Sequence, residues 1–191
     1  MPTPQPGVLS VGGAHAYFLT CTVADDAERT ALSQAIRDIH PSARALAARA
    51  KTARLLCTLG IGSELWERLS PARRPAGLRP FRAVKANGRV APATGGDLFV
   101  QITSGRHDLN LDLAMGLVRR LQPLAKVTEE IHGFQYRDSR DLTGFIDGTE
   151  NPKGKARAVA ALIGEEDRRF MGGSYVAVQR YVHDLERWRR L

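Results

Sequence analysis

With 191 residues, 43% of them hydrophobic, the chain can bury one large core or two small ones, which excludes a natively disordered polymer. No run is long and apolar enough to span a bilayer, and residues 1–7 (MPTPQPG) have neither the basic-then-apolar build of a secretory signal nor twin arginines, so a cytoplasmic chain without membrane contact is expected. The net charge of +8 is dispersed, its arginines do not alternate with the 6% of aromatic residues, and no nucleic-acid-binding spelling is present, so nucleic acid is not an expected partner.

Residues 14–23 read as a strand, and Asp25 or Asp26 is placed to cap the helix that follows. That helix carries Leu32, Ala35, Ile36 and Ile39 on one face, and His40-Pro41 is expected to interrupt it before an Ala-rich stretch over 42–51. A second short apolar strand runs over 54–62. Cys21 and Cys57 lie inside these two strands and are expected to be buried, inert thiols; their separation fits no zinc spacing. Leu65-Trp66 begins a short helical turn that stops at the Pro/Arg-rich loop over 71–80. An irregular stretch follows, with turn signals at Asn87-Gly88 and Gly95-Gly96. Residues 97–103 read as the third strand. Asp108 opens a helix with Leu109, Leu113, Leu117 and Leu121 along one side, and Pro123 closes it. The fourth strand falls within 127–136. The order β-α-β-β-α-β predicts an α+β, ferredoxin-like domain with an antiparallel sheet and helices on one face.

Residues 137–172 are rich in Asp, Ser, Gly, Pro and charge, with a helical patch near 156–163; a connection this long is expected to be functional. Strand composition returns over 173–182, and Asp184 can cap a helix through Trp188. The division expected is 1–136 as the first domain, 137–172 as a linker, and 173–191 as the opening strand and helix of a second, incomplete ferredoxin-like domain. Of the histidines, His15, His40, His107 and His132 form no HExxH or paired-ligand spacing and are expected at surface or capping positions. The acids Asp138, Asp141, Asp147 and Glu150 do not match a calcium loop; Asp138 and Asp141 are expected to pair with Arg137 and Arg140 or to cap turns.

Within the linker, Gly144-Phe145-Ile146-Asp147-Gly148-Thr149-Glu150-Asn151-Pro152 sets one carboxylate between two glycines. Glycine admits backbone angles closed to other residues and lets main chain approach a ligand, so Asp147 can face a bound group with little bulk around it. The spelling resembles the GxxDG signature of dye-decolourising peroxidases, and GFIDGTENP is similar to their cytoplasmic bacterial branch. The lead-in FQYRDSRDLT (134–143) and the later GGSYV (172–176), QRY (179–181), HDL (183–185) and Trp188 share the resemblance.

The resemblance implies two ferredoxin-like domains, a haem b cofactor, and Asp147 as the distal proton shuttle in the reduction of hydrogen peroxide by small-molecule reducing substrates such as dyes. Peroxide must lose a proton from one oxygen and receive one on the other, and a positioned carboxylate can do both. It also implies that Gly144, Ile146, Gly148, Thr149 and Glu150 line the cofactor, Glu150 towards the haem edge. The family's axial His is expected downstream of Leu191, and its distal Arg further still; His183 matches the strand exit and is expected to be structural. Trp66, Tyr136, Tyr175, Tyr181 and Trp188 could relay electrons, although core packing is the expected role of each. Relatives form oligomers, so a homo-oligomer is expected; some enter protein shells through C-terminal tails, and no such tail is read here to support an encapsulating shell partner. The alternative is a truncated, catalytically impaired ferredoxin-like module that acts only in assembly or binding.

Overall fold

The computed structural model describes residues 2–191; Met1, where the first expected domain begins, lies outside them. Strand β1, His15–Val23, alternates as a half-buried strand must: Tyr17, Leu19, Cys21 and Val23 face inward and the residues between them outward. Helix α1, Arg29–Arg37, follows a turn. Its cap is Glu28, whose carboxylate accepts the Thr30 and Ala31 N–H groups at 2.7 and 2.6 Å. The expected caps Asp25 and Asp26 stand in the turn ahead of it, too early in the chain to reach those donors.

The break between helices falls at Asp38, before His40-Pro41. Pro41 sits in the first turn of α2, Ile39–Arg49, where its missing N–H costs no helical bond. Strand β2 is Leu56–Ile61 and helix α3 is Ser63–Leu69. Asn87-Gly88 turns a small hairpin of β3, Val84–Ala86, and β4, Arg89–Ala91, in the stretch expected to be irregular. Strand β5, Leu98–Ser104, helix α4, His107–Leu121, and strand β6, Ala125–Phe134, complete the first part of the chain.

The four long strands form one antiparallel sheet in the order β2-β5-β1-β6. Each helical crossover therefore joins a strand to its second neighbour, with an antiparallel strand between them, and this is the ferredoxin-like arrangement. The helices cover one face. Tyr17, Leu19, Val100, Ile102 and Cys57 from the sheet bury against Ile39, Ala43, Leu109, Leu113 and Leu117. A second cluster at the other end joins Cys21, Leu32, Leu65, Leu98 and Leu121. Both thiols are buried and unpaired, and burial pushes Cys21 up to about 11 and Cys57 up to about 12.

Two features finish the sheet. The side-chain amide of Gln5 lies on the β2 edge, donating to the Leu59 carbonyl at 2.8 Å and accepting the Leu59 N–H at 2.7 Å, so the N-terminal segment satisfies an otherwise open strand edge. On the outer face, the C-terminal segment crosses from β2 to β6. Val176 packs on Gly60 beside Phe99, and Arg180 pairs with Glu129 at 3.1 Å. This segment, 173–182, was expected as a strand, but it lies over the sheet from edge to edge and no strand among the described residues pairs with it. After β6 come helix α5, Gly154–Ala161, and the one-turn helix α6, Leu185–Trp188. The Asp184 carboxylate caps α6 by accepting the Arg187 N–H at 2.9 Å, as its position predicts.

Candidate functional site

The segment that leaves β6 folds back on itself. Arg140 and Ile146 face each other as an antiparallel bridge, the Asp141 N–H donates to the Phe145 carbonyl at 2.9 Å, and the Asp147 N–H donates to the Ser139 carbonyl at 3.1 Å. Asp141 closes the turn: its carboxylate accepts the Thr143 N–H at 2.7 Å and the Thr143 hydroxyl as well. Those bonds hold the Asp141 carboxyl below the usual carboxylate range, and the charge of His183 lowers it further. Arg140 donates from Nη1 to the Gly144 carbonyl at 2.8 Å, so it fixes backbone and does not pair with Asp141.

Gly144 and Gly148 have φ of +97° and +72°, the left-handed region that a side chain resists. Space beside Gly144 is open, whereas a Cβ on Gly148 would press on the Asn151 amide. Between them Ile146 and Asp147 are exposed, as are Thr149 and Glu150. The Asp147 backbone is held through its amide, while its carboxylate has no hydrogen-bond or ion-pair partner among the described residues. The expected site residues thus come together because they are neighbours in one turn. The acid they frame is presented outward beside exposed Leu142, Phe145 and Ile146.

One contact with this loop comes from far along the chain. The Trp188 indole N–H donates to the Thr143 carbonyl at 3.1 Å, and its ring lies 5.8 Å from that of Phe145. Thr143, His183, Asp184, Arg187, Trp188 and Leu191 line a shallow hollow there. This contact joins the Asp147 loop to α6, and no sequence spacing signals it.

The aromatic residues expected in the core are mostly elsewhere. Tyr175, Tyr181 and Trp188 are exposed, because the segment that carries them lies outside the sheet. The Tyr175 hydroxyl accepts the Gly77 N–H at 2.8 Å. Trp66 is half-buried against Phe170, and Tyr136 lies under the Arg137 guanidinium. His107 and His132, expected at surface or capping positions, are exposed, yet both pack on buried Tyr17, and half-buried His15 lies against His107. His132 stacks on the Tyr17 ring at 3.9 Å, and the His107 Nε2 stands 3.3 Å from the Tyr17 hydroxyl. Strand register sets Tyr17 opposite His132 across β1 and β6, and the first turn of α4 brings in His107.

Known proteins match along the whole chain. Residues 5–135 match the N-terminal family model of the Dyp-type peroxidases and residues 138–191 the C-terminal one. The dye-decolorizing peroxidase of Rhodococcus erythropolis is 41% identical over 188 residues, covering 98% of this chain and 54% of its own. That of Mycobacterium tuberculosis is 40% identical over 189 residues, covering 99% and 56%. Among solved structures, the encapsulated DyP-type peroxidase from Mycobacterium smegmatis superposes with a TM-score of 0.95 at 41% identity, over 100% of this chain and 61% of that one. A DypB variant from Rhodococcus jostii RHA1, solved in complex with heme, gives 0.94 at 42% identity over 99% and 61%. The chain spans about half the length of the curated relatives it matches. From its fold, the position of its GxxDG turn and these likenesses, the chain belongs to the Dyp-type peroxidase family.

Proposed function

We propose that this chain supplies the distal side of a haem peroxidase site, with Asp147 as the proton carrier. The observation that carries the reading is a carboxylate without a partner among the described residues, held by its own backbone between two left-handed glycines and beside exposed apolar side chains. These residues fit one face of a haem. Gly144 leaves room for close approach, Phe145 and Ile146 offer apolar surface, and Asp147 supplies an exposed acid. Ile146, Gly148, Thr149 and Glu150 would complete the lining with Gly144.

When bound, a haem would supply the two-electron redox chemistry that couples reduction of peroxide to oxidation of dyes or other small reductants. Asp147 would take the proton from one peroxide oxygen at its carboxylate and deliver it to the other, so that water can leave. The Ser139 carbonyl would keep Asp147 in place through the Asp147 amide. Residues 1–136 would form the first domain, 137–172 the linker and 173–191 the opening of the second; the two family matches favour the first boundary, and the C-terminal one runs on unbroken from 138 to 191. The reading takes the protein as a cytoplasmic homo-oligomer, following the branch that GFIDGTENP resembles.

The test is a haemin titration of this chain beside a form extended to the length of the curated relatives, followed by peroxide-dependent dye bleaching. In whichever form binds haem, Asp147→Asn should slow bleaching by about 100-fold or more. An unchanged rate would remove Asp147 from the mechanism, and no haem binding by either form would remove the haem reading itself.

A further inference from the structure

We propose that Trp188 is a positioning residue for Asp147: its indole N–H holds the Thr143 carbonyl, its ring lies against Phe145, and α6 thereby sets where the loop presents its acid. The proposal rests on the reading of Asp147 given above. Every other hydrogen bond of the loop is local. Arg140 to Gly144, Thr143 to Asp141, Asp141 to Phe145 and Asp147 to Ser139 all join residues within one short hairpin. Local bonds define the shape of such a hairpin, yet an isolated two-stranded hairpin is marginal in water and its placement needs an outside anchor. Gly144 and Gly148 add backbone freedom at both ends of the acid.

Among the described residues, Trp188 is the sole hydrogen-bond donor or acceptor to 139–148 from a distant part of the chain. It is itself held. The Trp188 N–H donates to the Asp184 carbonyl at 2.9 Å, Asp184 caps the turn, and the preceding segment is fastened to the sheet through Val176 on Gly60 and Arg180 on Glu129. A continuous physical path therefore runs from the sheet, over its outer face, through Trp188 to the carbonyl four residues before Asp147.

Trp188→Phe keeps a ring against Phe145 and deletes the N–H, so it separates the clamp from general packing; far-UV melting confirms that the variant folds. Amide hydrogen exchange needs no cofactor. The Asp141, Gly144 and Asp147 amides should exchange about tenfold faster in Trp188→Phe, with core amides such as Leu19 and Val100 unchanged. Equal loop exchange in wild type and Trp188→Phe overturns the proposal. In the haem-binding form, Trp188→Phe should slow the peroxide-dependent step about fivefold or more, leave KM for the dye unchanged, and add nothing in an Asp147→Asn background. Full additivity with Asp147→Asn overturns it, because Trp188 then acts through something else. Faster loop exchange combined with an inert Asp147→Asn supports the clamp and defeats only the assignment of Asp147.

Discussion

Asp141 shows how one residue can shape a site without taking part in it. Its carboxyl is held low chiefly by the Thr143 hydroxyl and amide, so the contribution of this pair is present above the ordinary carboxylate range and is lost only as pH falls through the depressed value. The Thr143 amide should therefore stay protected from exchange at about pH 4, and Asp141→Ala should expose it at neutral pH. The two thiols make a second prediction at this scale. With Cys21 pushed up to about 11 and Cys57 to about 12, both should be silent to a disulfide reagent in the folded chain at neutral pH and react fully in denaturant. Rapid labelling of the native chain would show the strands opening far more readily than their burial implies. The cysteines were legible from the apolar strands around them. The histidine group beside Tyr17 was not, since both a strand pairing and the seating of α4 have to be known before residues 15, 107 and 132 can be brought together.

Helix α4 was legible because its leucines repeat along one face, and all four of Leu109, Leu113, Leu117 and Leu121 are buried. Leu113→Ala should cost about 2–5 kcal/mol in urea unfolding, since a well-packed core closes only partly over a lost side chain. Helix α2 makes a different prediction. His40 bonds the Gln5 side chain, with Nε2 and Oε1 2.9 Å apart, and burial followed by the nearby Arg44 lowers its affinity for a proton. The unfolded chain then binds that proton more readily than the folded one, so stability falls as pH drops below about 6.5. Replacing His40 with Gln should flatten this part of the stability–pH profile; an unaltered slope would place the titration elsewhere. The strand expected over 173–182 marks where element-level reading stops. Valine and tyrosine composition favours extended backbone, but a ladder needs a neighbour running alongside, and this segment crosses the sheet.

The whole molecule is a two-faced sheet, with a helical layer and core on one side and a thin covering of extended chain on the other. Leu142, Phe145, Ile146, Val178, Tyr181 and Val182 remain exposed along the loop and that covering. An environment-sensitive apolar dye should bind there, and haemin should displace it if this surface is the one that faces the cofactor. Retention of all the dye at saturating haemin would separate the two surfaces. The order of strands and helices, the inward stripes, the inert cysteines and the GxxDG turn follow from the sequence alone, because each depends on residues close together in the chain. The edge-sealing by Gln5, the imidazoles of His107 and His132 on Tyr17 and the hold of Trp188 on the Asp147 loop were decided only by the tertiary structure. Each joins residues tens of positions apart, and no local spacing encodes which distant surfaces meet once the sheet has paired.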